Sequence, residues 1–208
     1  MNQIMWAKEM CLKKINEILF FIIIFFSILI ISFPSKGNEK KYLNDIINYL
    51  NNFSEFSSNF LQIQNNEVSE GKIYLQNERL RIEYTSPTPI IFILKEKKGM
   101  YYNKELQEVE YFNPKDTIGQ FIIELFTSKD FLSNSKINIG KGYFNIFKEI
   151  NYNQTNHKVE IYFERQPLQI RKLQIYNEDG ITSFTILNLD FNPILNKKFF
   201  SLANPLLS

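Results

Sequence analysis

Few residues of this chain could do chemistry, and none stands in the company that chemistry needs. The 208 residues include one His and one Cys. His157 lies in the polar stretch NQTNHK. As a general base it would need an activated nucleophile and an orienting acid. No sequence signal supplies either, so His157 reads as a surface turn residue. Gly140-Lys141-Gly142 lacks the rest of any phosphate-cradling loop and reads as a hairpin turn. The acids are dispersed. Glu108 and Glu110 are the one close pair on a single strand face, and an exposed edge pair is preferred to paired-carboxylate catalysis. One Cys and one His exclude zinc fingers, iron–sulfur clusters and disulfide frameworks. These residue types predict no enzyme, no metal and no cofactor.

Charge points the same way. With 24 Lys and Arg against 22 Asp and Glu, the net charge of +2 shows none of the basic excess of a nucleic-acid binder. The amino-terminal end is different in kind. Lys8, Lys13 and Lys14 precede an unbroken apolar run, Ile18 to Phe33, and Pro34-Ser35-Lys36-Gly37 follows. A basic region, an apolar run too short for a span of ~20 residues and then small residues form a secretory signal pattern. Residues 1–37 are therefore expected to be a leader, with an uncleaved anchor as the alternative. Translation could also begin at Met5 or Met10. Four basic and two acidic residues leave with the leader, so 20 of each remain in residues 38–208. Cys11 leaves too, and a chain without thiols suits an oxidising compartment. Because Cys11 precedes the apolar run, it cannot be a lipid-modified lipoprotein cysteine.

The elements that must position any site follow from periodicity. Residues 39–53 place Tyr42, Leu43, Ile46, Ile47, Leu50 and Phe53 at helical spacing. Strand-like segments follow over 54–64, 67–76, 79–85, 90–94, 100–103 and 106–112. The third alternates cleanly, with Leu80, Ile82 and Tyr84 on one face and Arg79, Arg81 and Glu83 on the other. Then Ile118, Phe121, Ile122, Leu125 and Phe126 mark a second amphipathic helix, with Asp116 or Thr117 as N-cap. Four more strand-like segments span 143–150, 158–165, 168–176 and 181–191. The expected fold class is mainly β with α: a strongly curved antiparallel sheet whose two helices bury their apolar stripes against it. Large apolar side chains are in surplus. A tightly closed sheet would fill itself with them, whereas an open one under a helix would leave an apolar cavity; the residues by themselves allow both.

Order and spacing carry a resemblance. After the first helix comes Phe53-x-x-Phe56-x-x-x-Phe60-x-Gln62, then Gly71. Leu80-Arg81-Ile82-Glu83-Tyr84-x-x-Pro87, Tyr101-Tyr102-Asn103 and Gln120-Phe121-Ile122-Ile123 follow in turn. The tail Asn188-x-x-x-Asn192-Pro193-x-Leu195-x-x-x-x-Phe200-x-x-x-x-Pro205 is the most specific match. Over most of residues 40–205 the chain resembles the LolA-type outer-membrane lipoprotein carriers, periplasmic chaperones of Gram-negative bacteria. The resemblance implies an unclosed half-barrel covered by an N-terminal helix and a lid helix, in a single carrier domain over 38–208. It implies a monomer that takes the acyl chains of lipoproteins from an inner-membrane ABC-type releasing transporter and passes them to an outer-membrane acceptor. On it, Ile118, Phe121, Ile122, Leu125 and Phe126 are assigned to the lid. Phe60, Ile73, Leu75, Ile82, Tyr84, Ile91, Ile93 and Tyr101 are assigned to the acyl-chain cavity. Some members carry an Arg-Pro pair before the third strand, and that Arg latches the lid. Here Asn77-Glu78-Arg79 stands in its place, leaving Arg79 or Arg81 as candidate latch. The competing readings are a related carrier or sensor of another lipid or glycolipid, and an uncleaved membrane-anchored domain.

Overall fold

The computed structural model of the chain describes residues 36–52, 55–128, 130–152, 155–177 and 180–207. The expected leader, apart from the backbone of Lys36 and Gly37, lies outside the described residues, as does Phe53 of the first helical stripe. Among the described residues, no helix is long and apolar enough to cross a membrane.

Helix α1 (Lys36–Asn51) begins three residues before the segment 39–53 read from the sequence. Six strands follow: β1 (Glu55–Gln64), β2 (Glu67–Gln76), β3 (Arg79–Ser86), β4 (Ile90–Lys95), β5 (Lys98–Asn103) and β6 (Glu108–Phe112). A 3-10 turn at Pro114–Asp116 leads into helix α2 (Ile118–Thr127). Then come β7 (Lys136–Ile139), β8 (Tyr143–Tyr152), β9 (Thr155–Arg165), β10 (Leu168–Asn177) and β11 (Gly180–Asp190). Strand β7 has no counterpart in the sequence reading. It is four residues long, lies at an edge and pairs with β8 alone, so it has too few residues to show a period.

All eleven strands form one antiparallel sheet in the order β6-β5-β4-β3-β2-β1-β11-β10-β9-β8-β7, and the sheet is not closed into a barrel. Apart from β6 and β7, strands adjacent in sequence are adjacent in the sheet. Asn65 and Asn66 at φ 50° and 66°, and Asn77 and Glu78 at 46° and 62°, supply the two left-handed positions of primed hairpin turns. The one non-local pairing, β1 with β11, joins the two ends of the strand run at the centre of the sheet. The ladder is irregular between Ser57 and Asn59, where Asn188 on β11 takes φ 52° and Ser58 Oγ donates to the Leu187 carbonyl at 2.6 Å. A bulge of this kind sharpens local twist and bends the sheet.

This order leaves β6 and β7 as the two free edges, and the segment between them carries α2. The chain must pass from one edge to the other, and α2 does so across the inner face. The core is accordingly one large cluster. Ile46 and Leu50 of α1, Phe121, Ile122, Ile123, Leu125 and Phe126 of α2 and the inward residues of both halves of the sheet are buried together. The amino-terminal helix covers the β8–β11 half. Tyr42 lies 4.9 Å from the Phe144 ring, Tyr49 stands edge-on to Phe163 and Phe191, and the Ile170 N–H donates to Tyr49 Oη at 3.3 Å.

The other half is covered on its outer face as well. Ile91, Ile93 and Met100 pack there against Phe200, which is 2% exposed, with Phe199, Leu195 and Leu202 around them. The carboxy-terminal segment is thus a strap over β2–β6. Arg81 fastens it: Nη1 donates to the Phe199 carbonyl at 2.7 Å, the guanidinium lies 4.5 Å from the Phe199 ring, and Glu83 pairs with it from the same strand.

Candidate functional site

Cross-strand register decides which side chains meet beneath α2. Residues directly opposite one another share a face. One row runs Ser58–Ile73–Ile82–Phe92–Tyr101–Glu110 and the next Phe56–Leu75–Leu80–Leu94–Gly99–Phe112. Both point inward. From the other half, Ile170, Leu173, Phe184, Ile186 and Leu189 join them.

The roof is α2. Thr117 caps it, with Oγ1 accepting from Gln120 N–H at 3.4 Å and donating to the Pro114 carbonyl at 2.9 Å. The helix is buried almost all round, at Gly119, Phe121, Ile122, Ile123, Leu125 and Phe126, as expected of a helix inside a core rather than on a surface. It approaches the sheet closely. A Cβ on Gly119 would lie 2.6 Å from Leu94 Cδ2.

Between roof and floor lies a cavity lined by Phe56, Phe60, Ile73, Ile82, Ile122, Leu125, Phe126, Ile170, Leu173, Phe184, Ile186 and Leu189. Every one is apolar. Its free volume is about 30 Å³, room for no more than a water or two. The site is therefore shut in this conformation.

A second, open groove adjoins it, between β3–β6 and the amino end of α2, with a volume of about 530 Å³. Ile82 lines both spaces. The groove's other walls are Tyr84, Phe92, Leu94, Tyr101, Glu108, Glu110, Phe112, Thr117, Ile118 and Gly119. Its aromatic rings form a chain from the cavity outward: Phe60 to Tyr84 at 5.2 Å, Tyr84 to Phe92 at 6.0 Å, and Phe92 to Tyr101 at 5.2 Å. Tyr84 Oη donates to Gln62 Oε1 at 2.6 Å, and burial pushes its phenol up to about 12.

The residues singled out from sequence divide accordingly. Phe60, Ile73, Ile82, Ile122, Leu125 and Phe126 meet at the cavity. Tyr84, Tyr101 and Ile118 line the groove. Leu75 is fully buried in the same core without reaching the cavity, and Phe121 packs on the Phe131 ring at 5.3 Å. Ile91 and Ile93 are on the opposite face, under the strap. They stand across from Glu83 and Arg81, so Phe92 and Leu94 point inward in their stead. Arg79 and Arg81 also face outward, away from α2. Arg81 holds the carboxy-terminal strap rather than the lid, and Glu78 lies in the β2–β3 turn. His157 is not in a surface turn: it is in β9, 8% exposed, on the same face as Val159 and Ile161. The sequence reading missed Phe56, Ile170, Leu173, Phe184, Ile186 and Leu189 as lining residues. Their alternation was visible, but nothing in it says that β10 and β11 meet β1 across one space.

On the outer face of β9, Lys158, Glu160 and Tyr162 cluster with Tyr176. Tyr162 Oη donates to Glu160 Oε2 at 2.6 Å, and Lys158 Nζ lies 2.9 Å from Oε1. Burial, then the hydrogen bond to Glu160, pushes the Tyr162 phenol up to about 12. Burial also works against the Glu160 carboxylate, but hydrogen bonds from Tyr162, Lys158 and Tyr176 outweigh it and hold the group below its ordinary 4.5. Among the described residues, no three His, Cys, Asp or Glu converge as metal ligands.

The fold is thus an unclosed antiparallel sheet that enfolds an apolar cavity under a helix. Residues 51–203 match the family described as outer membrane lipoprotein carrier protein LolA, and the chain belongs to that family. It is 27% identical over 194 residues to the uncharacterized protein RP864 of Rickettsia prowazekii (strain Madrid E), covering 91% of this chain and 89% of that one. Among solved structures it is similar in fold to an uncharacterized conserved protein from Thermus thermophilus, at TM-score 0.50 and 9% identity over 77% of this chain and 91% of that one. A DUF1329 family protein from Desulfovibrio piger has TM-score 0.47 and 10% identity, with 83% and 99% covered.

Proposed function

We propose that this protein is a periplasmic carrier that encloses the acyl chains of lipoproteins released from the inner membrane and delivers them to the outer membrane. One observation carries the reading: in a member of this family, an entirely apolar cavity lies beneath a helix that is itself apolar on nearly every side. The leader delivers the chain to the periplasm, an ABC-type transporter supplies the cargo, and an outer-membrane acceptor receives it.

Energetics favour reversible exchange. Burying a CH₂ is worth about 0.8 kcal/mol, so one 16-carbon chain represents roughly 13 kcal/mol. The large apolar side chains of α2, at about 1.5–3 kcal/mol each, hold the lid shut with a comparable total. Lid and cargo compete for one surface. The empty carrier hides its cavity, a chain can displace the lid, and the lid helps expel the chain.

To test this, the protein purified after export is added to spheroplasts that make a radiolabelled outer-membrane lipoprotein and carry a compatible releasing transporter. Label is expected in the soluble fraction, in complex with the protein. Label that stays with the membrane overturns the reading.

A further inference from the structure

The groove beside the lid is not accounted for by acyl chains alone. Its floor continues the apolar cavity through Ile82, then changes character along a single cross-strand row, from Phe92 to Tyr101 to Glu110. Glu108 stands two residues along the same edge strand and lines the same space. No Lys or Arg lines it. Among the described residues, neither carboxylate has an ion-pair partner.

We propose that this groove receives a cationic peptide segment, the residues that directly follow the acylated end of the cargo. The inference rests on the carrier reading and adds a selectivity to it. A chain that leaves the cavity past Ile82, which lines both spaces, enters the groove. Whatever is covalently attached to that chain then lies along Tyr84, Phe92 and Tyr101. Lysine or arginine side chains fit such a surface twice over. They are attracted to aromatic faces, and their charge-assisted hydrogen bonds satisfy Glu108 and Glu110. An acidic segment would meet two carboxylates with no cation between them and be repelled. At about 530 Å³ the groove has the size of an ordinary ligand site.

The test uses three synthetic lipopeptides with the same diacylated cysteine, followed by four lysines, four serines or four glutamates. Each is titrated against the protein purified after export, at low and at high salt. The serine peptide reads the carrier function alone. If it fails to bind, that reading falls and this inference falls with it. If it binds, the lysine peptide is expected to bind about tenfold tighter than the glutamate peptide at low salt, with the gap narrowing as salt screens the charges. The double variant Glu108→Gln, Glu110→Gln is expected to bring all three within about twofold, at an affinity close to that of the serine peptide. Equal binding of the three peptides by the unaltered protein overturns the proposal. So does discrimination that survives in the double variant, which would place the carboxylates in the service of the amino end of α2.

Discussion

Tyr84 is half-buried and Glu160 buried, and their surroundings push the two groups in opposite senses. Tyr84 has one acceptor, Gln62, and a phenol held neutral by burial up to about 12. It stays uncharged throughout the physiological range, which an apolar passage requires. Glu160 is desolvated yet held ionised by three donors. The sign of its linkage follows. A carboxylate whose pKa is lower in the fold than in the unfolded chain contributes stability above its ordinary 4.5 and loses it as pH falls through the folded value. Glu160→Gln should therefore flatten the fall in stability as pH drops below the ordinary 4.5. Urea midpoints at each pH check this, and an unchanged acid limb would assign the loss to other carboxylates. None of this network was legible in the sequence. Lys158, Glu160 and Tyr162 alternate like any solvated strand face, and it is Tyr176 on the neighbouring strand that turns the face into a cluster.

At the scale of the element, period sets what forms and neighbours set what it costs to alter. Gly71 sits within β2, where the register shifts by one residue. A Cβ there would lie 2.2 Å from the Glu83 carbonyl oxygen and 2.7 Å from the Phe60 ring. The first obstacle is backbone and cannot rotate away. Gly71→Ala should therefore lower stability by about 1–3 kcal/mol, read from urea unfolding, and should disturb the cavity through Phe60. A neutral result would mean that β2 and β3 part easily. The same distinction explains the strand whose faces the sequence reading exchanged. Ile90–Leu94 is apolar at every position, so alternation offers no guide. Pairing with Ile82 and Arg81 turns Phe92 inward and Ile93 outward, and Phe200 of a segment more than a hundred residues later makes the outward face dry. Both sides of the ambiguity are thus resolved by contacts that are remote in the chain. The 3.6-residue period of α2, by contrast, was readable at once, and with it Ile122, Leu125 and Phe126 of the site.

For the molecule as a whole, the decisive feature is that α2 links the two free edges of an open sheet. Tethered at both ends, it can swing without being lost. On the proposed carrier reading, loading requires motion between α2 and β4, which pack closely where Gly119 meets Leu94. A Cβ on Gly119 comes within 2.6 Å of Leu94 Cδ2, so cysteines at these two positions are expected to form a disulfide, and Cys11 is the one native cysteine of the sequence. The oxidised Leu94→Cys, Gly119→Cys protein should bind no acyl chain, and reduction should restore binding, followed by fluorescence of a labelled fatty acyl probe. Binding by the oxidised form would show that chains enter without displacing α2.

Composition and periodicity by themselves determined that this chain is mainly β and that two helices accompany the strands. These are properties of single residues and of neighbours a few positions apart, which local physics controls. Only the tertiary structure decided which faces look inward, that Arg81 fastens a strap and not a lid, and that β1, β10 and β11 share one cavity. The reason is that the faces of a strand are set by its partners. Across a sheet joined at β1 and β11, those partners are separated by more than a hundred residues, beyond the reach of any local pattern.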